Sequence, residues 1–598
     1  MCGIIGCVGR GEDTLSTLLH GLDQLEYRGY DSAGVALVGD GDLRVAKRAG
    51  KLDALKAVVG DRADLAGTVG IGHTRWSTHG PPTDGNAHPH CACAGRVAVV
   101  HNGIIENYQA LRDELAADGH EFDSDTDTEV VPHLVEAGLE AGRDPEAAFR
   151  DAVARLEGSF ALACVVEGTE AVLVARNDSP LVLGVDDGAT YLASDVPAFR
   201  EFTARVVYLE DGEFARLTAD GWHVADAEGT RLEKSVETVE WDAEDTGKSG
   251  YDHFMLKEIH EQPRALRQCL SGRVDELGGS VTLEELPELD LDRAHLVAAG
   301  TSYHAAIYGA RLLCDVGVPA TAFLSHEYAA SPPPQEDATV VGVSQSGETA
   351  DTLAATREAR RRGAETLAIT NTVGSTMARE CDHVCYIRSG PEIGVAATKT
   401  FAGQQTALNL LTEYVSPGPI DRDLIAALRD LPSDVQAVLD GSDAEAVGEA
   451  YIDSDAYFFI GRALNYPVAL EGALKMKEIS YKHAEGFAAG ELKHGTLALV
   501  TPETPVFASV VGDGELARKT VGNVKEVEAR DAPVVAVTDG RSDVERYANH
   551  VLEIPETHPR AAAILANIQL QLVAYHTAAK LGRSIDKPRN LAKSVTVQ

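Results

Sequence analysis

The chain opens with Met1-Cys2-Gly3-Ile4-Ile5-Gly6, a stretch that places a cysteine directly behind the initiator methionine and ahead of an apolar run. Removal of Met1 would leave a thiol and a free α-amine on one residue. The thiolate is the reactive form of cysteine, and the neighbouring amine can take its proton, as in N-terminal threonine nucleophiles. The alternative interpretation is a small buried cysteine that begins a first strand.

The region behind this stretch, residues 2–235, alternates short β-rich runs with Gly and Asp turns. The clearest runs are 68–73, 96–101, 159–166, 171–176 and 190–194. This texture predicts a domain built from layered antiparallel sheets. Around Trp241 the chain becomes polar and contains glycine, which predicts a linker over 236–252.

A second texture begins after the linker, where helical stretches alternate with apolar strands at 294–299, 339–343 and 366–370. That alternation predicts parallel α/β sheets. The pattern also repeats, since 295–300 resembles 456–461 and 367–371 resembles 535–539. We therefore expect two copies of one α/β unit, at 253–430 and 431–588, followed by a tail at 589–598.

Composition restricts the classes of partner and compartment. The 598 residues are 44% hydrophobic, enough for several domains. With 93 acidic against 53 basic residues the net charge is -40, which excludes nucleic acid and anionic membranes as partners. No apolar run approaches the roughly 18 residues of a membrane span, and the N-terminus lacks the pattern of a signal peptide. We expect a cytoplasmic protein.

Lysine and cysteine usage refine this expectation. Only 16 of the basic residues are lysine and 37 are arginine, an acidic and lysine-poor balance that is typical of halophilic proteins. The remaining lysines are then enriched for function, as in the cluster Lys475, Lys477, Lys482 and Lys493. The 9 cysteines are odd in number and thinly spread, which favours free thiols in a reducing compartment.

Three further segments of the N-terminal half carry chemistry. Arg75 follows a predicted strand and can grip a substrate carboxylate with its planar fork. Asn102 and Gly103 follow another strand, and an amide side chain beside a backbone N–H is the donor pair that an acyl-transfer oxyanion requires. Asp127 can accept a substrate ammonium. Each also has a structural alternative, namely a surface arginine, an Asn-Gly turn and a helix cap.

Together with Cys2 these segments resemble the class II glutamine amidotransferases, whose nucleophile is N-terminal. The resemblance rests on the motifs Met1-Cys2-Gly3-Ile4, Tyr27-Arg28-Gly29-Tyr30-Asp31-Ser32-Ala33-Gly34, His73-Thr74-Arg75-Trp76, Asn86-Ala87-His88-Pro89 and His101-Asn102-Gly103-Ile104-Ile105-Glu106-Asn107. It implies an αββα glutaminase domain in which Cys2 forms a thioester and Asn102 with Gly103 forms the oxyanion hole. It further implies glutamine recognition by Arg75, Thr78, His79 and Asp127, with Trp76 as the gate of an ammonia channel.

The C-terminal half contains a candidate phosphate site. The segment 343–352, Val-Ser-Gln-Ser-Gly-Glu-Thr-Ala-Asp-Thr, joins a strand to a predicted helix, so hydroxyls and the helix N-terminus converge on an anion. A Ser/Thr cap cluster is the structural alternative. Ser302 follows an earlier strand and would lie at the same carboxyl edge of the sheet, where open α/β folds bind ligands.

A predicted helix over 470–480 places Lys475 and Glu478 one turn apart, a pair that can move protons if it is buried. An exposed salt bridge is the alternative. His494 adds a side chain that titrates near neutrality, and the terminal stretch carrying Lys593 is apolar and ends abruptly.

These segments resemble paired sugar-isomerase (SIS) domains, and the order of the three domains resembles the isomerising glutamine:fructose-6-phosphate aminotransferase family. The resemblance also rests on Glu392-Ile393-Gly394-Val395-Ala396 and on Leu591-Ala592-Lys593-Ser594-Val595-Thr596-Val597. It implies sugar-phosphate contacts by Ser302, Ser344, Gln345, Ser346, Thr349, Val395 and Ala592. It also implies a Schiff base on Lys593, ring opening by His494, and a proton shuttle at Glu478 supported by Lys475.

The same resemblance implies glutamine and fructose 6-phosphate as substrates, glucosamine 6-phosphate as product, no metal or organic cofactor, and a homodimer that shares sugar sites. Two features need separate comment. Thr496 stands where the family pattern has proline, beside His494. The segment His88-Pro89-His90-Cys91-Ala92-Cys93 has metal-binding residue types, but structural zinc spacings need a second paired cluster, so we expect a free-thiol loop.

Two alternatives remain open at this point. Another class II amidotransferase with a different sugar-phosphate acceptor would share the first half of the chain. A non-catalytic SIS-type sugar-phosphate sensor would share the second, although such a sensor needs none of Cys2, Glu478, His494 and Lys593.

Overall fold

The computed structural model describes residues 2–60, 65–77, 80–239, 248–275, 280–286, 289, 291–334 and 337–595. The chain forms two units, residues 1–246 with 594–598, and residues 247–593. Thr78 and His79, the middle of the predicted linker (240–247) and the last residues of the tail (596–598) lie outside the described residues. The described start of that linker contains a short strand at Glu237–Thr238.

The N-terminal unit is dominated by antiparallel strands. The strands are β1 Gly3–Val8, β2 Ser32–Gly39, β3 Asp42–Ala49, β4 Val69–Arg75, β5 His90–Cys91, β6 Val97–Ile105, β7 Gly158–Val166, β8 Val172–Asn177, β9 Val182–Asp186, β10 Ala189–Ala193, β11 Arg205–Tyr208, β12 Phe214–Thr218, β13 Gly221–Ala225, β14 Arg231–Leu232 and β15 Glu237–Thr238. The helices are α1 Thr14–Leu25, α2 Leu52–Gly60, α3 Tyr108–Ala117, α4 Val130–Glu140 and α5 Pro145–Val153.

These strands form two sheets, ordered β15-β11-β9-β10-β1-β4-β2-β3 and β14-β13-β12-β8-β7-β6-β5. Alternation of side chains along each strand builds two cores. Ile4 and Val100 belong to the core between the sheets, whereas Val99 on the opposite face packs with α4 and α5. Helix α1 covers the outer face of the first sheet, where Gly72 lies against Leu22. The predicted αββα layering is confirmed.

The C-terminal unit alternates strands and helices. Its strands are β16 Val274–Asp275, β17 Ser280–Val281, β18 Ala294–Ala298, β19 Ala320–Leu324, β20 Thr339–Ser344, β21 Thr366–Thr370, β22 His383–Tyr386, β23 Ala456–Gly461, β24 His483–Ala488, β25 Val506–Val510, β26 Val534–Thr538 and β27 His550–Glu553. Its helices are α6 Phe254–His260, α7 Gln262–Leu270, α8 Gly300–Asp315, α9 Ser325–Ala330, α10 Ala350–Arg361, α11 Thr376–Glu380, α12 Lys399–Val415, α13 Arg422–Gly441, α14 Ala444–Ala450, α15 Asn465–Ser480, α16 Glu515–Glu528 and α17 Pro559–Lys580.

Two fully parallel sheets result, ordered β19-β18-β20-β21-β22 and β24-β23-β25-β26-β27. In each sheet the second strand in chain order, β19 or β24, lies at the edge, and the first strand, β18 or β23, lies next to it. The two copies therefore share one topology. The predicted repeat is confirmed, because the matched stretches are the first strands, β18 and β23, and the fourth strands, β21 and β26. One apolar core runs through both copies and includes almost the whole length of α17.

Helix α15 confirms the helix predicted over 470–480 and begins earlier, at Asn465. It ends where Tyr481 adopts a left-handed backbone conformation, at φ 63°. Within the described part of the chain, no helix is both long enough and apolar enough to cross a membrane.

Candidate active sites

Cys2 lies at the entrance of β1, a central strand of the first sheet, where the backbone is held from several sides. Its carbonyl oxygen accepts hydrogen bonds from Arg28 Nε at 3.2 Å and Asn102 Nδ2 at 3.0 Å. Its Sγ accepts a hydrogen bond from the Trp76 backbone N–H at 3.2 Å. Burial raises the pKa of the Cys2 thiol, while the Trp76 N–H and the charges of Arg75 and Arg28 act in the opposite direction. These interactions offset only part of the cost of desolvation, so the pKa of Cys2 stays raised and burial favours the protonated thiol.

Asn102 and Gly103 lie on β6, in the second sheet of the same unit. His73 Nε2 contacts Asn102 Oδ1 at 3.1 Å and the His101 carbonyl oxygen at 3.0 Å. With its Oδ1 held by His73, the Asn102 amide presents its Nδ2 donor to Cys2. Gly103 has φ 131°, and a Cβ there would collide with the Ser159 carbonyl oxygen, so only glycine fits. Asn102 is thus brought to Cys2, and Gly103 is the next residue along the same strand.

Three predicted glutamine-binding residues lie close to this centre. Arg75 is the last residue of β4, is 3% exposed, and donates from Nη2 to the Gly80 carbonyl at 3.3 Å. Asp127 is buried and accepts the Ile105 N–H at 2.8 Å, within electrostatic range of Arg75. The half-buried Trp76 ring packs edge-on against Tyr30 at 5.6 Å. The structure gives no information on Thr78 and His79, which lie outside the described residues.

Buried histidines support this centre, and the sequence reasoning assigned them no role. Burial lowers the pKa of His73 to about 3 and places the pKa of His88 and His90 well below the usual value, so all three rings are neutral. His88 stacks on His73 at 4.3 Å. His90 and His101 bond the hydroxyls of Thr126 and Thr128, the neighbours of Asp127. The presence of His73, His88 and His101 in the quoted motifs was the sequence signal that could have identified these supporting histidines.

In the C-terminal unit, the predicted phosphate-binding loop joins β20 to the N-terminus of α10. Ser344 ends β20, and its Oγ accepts the Gly347 N–H at 3.1 Å and lies 3.0 Å from Thr349 Oγ1. Gly347 has φ 65° and its Cα faces the Ser375 hydroxyl, so the loop requires glycine there. Gln345 and Ser346 form the turn between these residues. Hydroxyls and the helix end converge as predicted.

Ser302 lies in the first turn of α8, which follows β18, the neighbour of β20 in the sheet. Its Oγ accepts a hydrogen bond from Gln404 Nε2 at 2.9 Å. The carboxyl ends of adjacent parallel strands meet at one edge, so Ser302 and the loop after β20 share that edge.

Lys475 and Glu478 form a buried charged network on α15. Lys475 is fully buried, and its Nζ lies 2.6 Å from Glu478 Oε2 and 3.3 Å from Glu471 Oε1. Glu471 also accepts from Thr301 at 3.0 Å and contacts His304 Nδ1 at 2.7 Å. Burial opposes the Lys475 charge, but the two carboxylates outweigh it and raise the pKa of Lys475. Lys475 therefore stays charged.

Lys593 is held by a second buried network. Its Nζ forms an ion pair with Glu392 and donates to the Gly394 carbonyl at 2.8 Å. Burial acts against the charge of Glu392, yet Lys593 and the hydrogen bonds from Thr400 and Thr398 lower its pKa to about 2. Burial and the Glu392 charge raise the pKa of the neighbouring Glu258 to about 7.

Other predicted sugar-site residues have different surroundings. The Val395 backbone N–H bonds the Asp586 carbonyl at 3.0 Å, and Ala592 is half-buried beside Lys593. His494 lies on an exposed turn between two 3-10 segments, and within the described part of the chain its side chain has no hydrogen bond or ion pair. The structure of one chain therefore does not bring His494 to Lys475, Glu478 or Lys593. Thr496 begins the second 3-10 segment, after Gly495 at φ 132°.

The sequence reasoning missed Glu392, Glu471, His304 and Glu258 as members of these networks. Glu392 lies inside the quoted motif 392–396, and Glu471 lies one helical turn before Lys475. The sequence near these two residues could therefore have identified them as partners. Glu258 and His304 are distant in sequence from the residues they face.

The comparisons with known proteins agree with this arrangement. A family described as SIS domain matches residues 290–414 and 450–581, and one described as glutamine amidotransferase domain matches 73–201. The chain is 52% identical to the glutamine–fructose-6-phosphate aminotransferase (isomerizing) of Halobacterium salinarum and 48% identical to that of Symbiobacterium thermophilum, with 100% of both chains covered in each case.

A solved structure shows the same relationship for the C-terminal half. The C-terminal domain of glucosamine-fructose-6-phosphate aminotransferase from Francisella tularensis is 34% identical, covers 57% of this chain and 99% of its own, and superposes with a TM-score of 0.54. With matches of this identity over its whole length, the chain belongs to the isomerizing glutamine–fructose-6-phosphate aminotransferase family.

Proposed function

We propose that this protein converts fructose 6-phosphate and glutamine to glucosamine 6-phosphate and glutamate. The observation that carries the proposal is the fully buried Lys475, whose Nζ lies 2.6 Å from Glu478 on the same helix. Burying a charged pair costs several kcal/mol unless the geometry compensates. An enzyme that must move a proton between carbons of its substrate needs such a base, and a sugar-phosphate sensor does not.

At the N-terminal centre, removal of Met1 frees the α-amine of Cys2 to take the thiol proton. The thiolate then attacks the side-chain carbonyl carbon of glutamine, whose α-carboxylate and α-ammonium are held by Arg75 and Asp127. Asn102 Nδ2 and the Gly103 N–H donate to the resulting oxyanion. Collapse of the intermediate releases ammonia and leaves a thioester, which water hydrolyses to glutamate and free Cys2. Thr78 and His79 belong to the same proposed recognition set.

At the C-terminal centre, Ser302, Ser344, Gln345, Ser346 and Thr349 hold the phosphate, with Val395 and Ala592 as backbone contacts. Lys593 must lose its proton to solvent before its Nζ can attack C2 of the open-chain ketose. Imine formation releases water. Ammonia, passing the proposed gate at Trp76, displaces Lys593 from C2. Glu478 then takes a proton from C1 and returns it to C2, which produces the 2-amino aldose.

The proposal also includes a homodimer in the cytoplasm. Exposure of His494 in a single chain supports the dimer, because a ring-opening histidine can act only at a site that it reaches. Mixing a Lys593→Ala chain with a His494→Ala chain tests this. Partial recovery of activity is expected if His494 serves the sugar site of the other subunit, and no recovery is expected if it serves its own. The nine free cysteines support a reducing compartment.

The decisive experiment is mass-spectrometric detection of amino-sugar phosphate from glutamine and fructose 6-phosphate in molar KCl. Wild-type protein is expected to form product, whereas Cys2→Ala and Lys593→Ala are not. The exposed Cys314→Ala and Lys519→Ala are matched controls that retain activity. Glutamate release without amino sugar would point to another acceptor. Sugar-phosphate binding without any turnover would favour the sensor.

A further inference from the structure

Four side chains with metal-binding atoms converge in the N-terminal unit, away from Cys2. Cys93 lies in the turn between β5 and β6, His120 follows α3, and His133 and Glu136 lie one turn apart on α4. Their ligand atoms all lie within 4.8 Å of one another. Within the described residues this is the one group of three or more His, Cys, Asp or Glu side chains that could hold a metal ion.

The separations match those of ligands around one tetrahedral ion. Cys93 Sγ lies 3.6 Å from His133 Nδ1 and 3.8 Å from His120 Nδ1, and the two Nδ1 atoms are 3.2 Å apart. Zinc–ligand bonds are about 2.0–2.1 Å long for nitrogen and about 2.3 Å for sulfur. In a tetrahedron around zinc these lengths predict about 3.6 Å between a sulfur and a nitrogen ligand and about 3.3 Å between two nitrogen ligands. Glu136 Oε2, at 3.8 Å from His120 Nδ1, completes four ligands.

The atoms behind these ligands are arranged to hold them. The Glu121 N–H donates to Cys93 Sγ at 3.3 Å, a contact that favours a thiolate. The Ala94 N–H donates to Glu136 Oε1 at 3.0 Å and leaves Oε2 for the cluster. His133 Nε2 is buried, makes no hydrogen bond in the described part of the chain, and lies 3.9 Å from Glu129 Oε1. A carboxylate behind a metal-binding imidazole fixes the tautomer that leaves the other nitrogen free.

The other histidines of this unit provide a contrast. His73 Nε2, His90 Nε2 and His101 Nδ1 contact Asn102, Thr126 and Thr128, so one ring nitrogen of each is engaged with an amide or hydroxyl group and not with a second metal-binding side chain. Cys91, two residues before Cys93, is not part of the four-residue group. Of the two cysteines in this turn, only Cys93 therefore belongs to the cluster.

We propose that Cys93, His120, His133 and Glu136 bind a structural Zn²⁺ ion. One thiolate, one carboxylate and two neutral imidazoles balance the charge of the ion, and the thiol proton is released to solvent on binding. Four protein ligands leave no open position, so the ion takes no part in catalysis. It joins the turn before β6 to both ends of the segment 120–133. That segment contains Asp127, and β6 contains Asn102, so the ion fixes the supports of the glutamine site.

The test is zinc binding by the full-length protein. After exhaustive chelation and re-equilibration with ZnCl₂, the wild-type protein is expected to retain one Zn²⁺ per chain by elemental mass spectrometry. Cys93→Ser is expected to lose most of it, and the matched Cys91→Ser to retain it. Co²⁺ in place of Zn²⁺ is expected to give the intense absorption of a tetrahedral thiolate site in the wild-type protein and in Cys91→Ser, and not in Cys93→Ser.

Two results would overturn the proposal. One is a wild-type protein that holds substoichiometric zinc after equilibration, a result that depends on no variant. The other is equal zinc retention and equal cobalt spectra in Cys93→Ser and wild type. If Cys93→Ser fails to fold, His120→Gln at the half-buried position after α3 takes its place. Zinc is also expected to raise the unfolding temperature of wild type and Cys91→Ser, since only the folded state carries the assembled site.

Discussion

The two proposed catalytic centres differ in the charge of their buried polar groups: those around Cys2 are neutral and those around α15 are charged. Around Cys2 the buried rings are neutral, since burial lowers the pKa of His73 to about 3 and that of His88 well below its usual value. Around α15 the buried groups are charged, with Lys475 between Glu471 and Glu478. Lys593 and Glu392 repeat that charged pattern at a second position.

The difference matches the chemistry that we propose for each centre. A developing oxyanion is stabilised by fixed neutral dipoles, so the N-terminal centre needs donors whose direction is held by neighbours without added charge. Proton transfer between carbon atoms needs a base that is ionised at rest, so the sugar centre needs a carboxylate with its own counter-ion. The same degree of burial therefore supports two different electrical environments.

The largest effect is expected at the charged centre, from Glu478→Gln. The amide cannot take the C1 proton, so amino-sugar formation should fall on the order of 10²–10⁴-fold while glutamate release persists. Product formation and glutamate release are measured on the same samples. Glu503→Gln, at an exposed loop position, is the matched control. If Glu478→Gln forms product at near the wild-type rate, Glu478 is not the group that transfers the proton.

Lys475→Met should destabilise the C-terminal unit by about 3–5 kcal/mol, because it leaves Glu471 and Glu478 buried without their cation. Urea unfolding followed by circular dichroism measures the change. Lys477→Met, an exposed position on the same helix, should have little effect. Adding Glu471→Gln to Lys475→Met should recover part of the loss. If the double variant is no more stable than the single one, charge is not the cause.

At the neutral centre, Asn102→Ala should lower kcat for glutamate release about 10²–10³-fold, because one oxyanion donor is lost. KM for glutamine should change less, since Arg75 and Asp127 remain. Asn102→Asp should be worse than Asn102→Ala, because a carboxylate repels the oxyanion. An aspartate variant as active as the alanine variant would contradict an oxyanion at this position.

The smallest effect concerns pH, and it has opposite signs in the two units. His73 has a folded-state pKa of about 3 against about 6.5 unfolded, so the unfolded state binds more protons between these values. Acidification from pH 7 to 5.5 should therefore cost the N-terminal unit about 1 kcal/mol from His73 alone. Glu258 has a raised folded-state pKa of about 7, so the same change should stabilise the C-terminal unit.

Fluorescence separates the two units in this experiment, since all three tryptophans, Trp76, Trp222 and Trp241, lie before residue 247. Urea midpoints from fluorescence should fall on acidification, and the fall should be smaller in His73→Gln. Midpoints from circular dichroism should fall less. A parallel fall in both signals would mean that the buried histidines do not set the acid sensitivity of the N-terminal unit.

Much of the fold was predictable because it depends on local patterns. Short apolar strands separated by Gly and Asp turns in the first half, and apolar strands alternating with helical stretches in the second half, distinguish antiparallel from parallel sheets. The repeat was visible because equivalent strands share the same burial and are followed by similar turns. The shared sheet edge of Ser302 and Ser344 was predictable for the same reason, since parallel topology brings the ends of adjacent strands together.

The long-range partners were not predictable in this way. The pairing of Lys593 with Glu392 joins residues about two hundred positions apart, and the contact of Glu258 with Gly394 is of similar range. The Cys93 cluster is a further example. The segment 88–93 predicted a free-thiol loop because no second paired cluster follows it in sequence, and the proximity of Cys93 to His120 and His133, which come from the segment after α3 and from α4, has no local signal.

The sequence by itself determined the order of the domains, the αββα and parallel α/β architectures, the acidic surface and the residue types of both centres. These depend on composition, periodicity and motifs, which are properties of neighbouring residues. Tertiary structure decided which of these groups are neutral and which are charged. Burial and the identity of facing residues set a pKa, and both arise only when distant parts of the chain pack together.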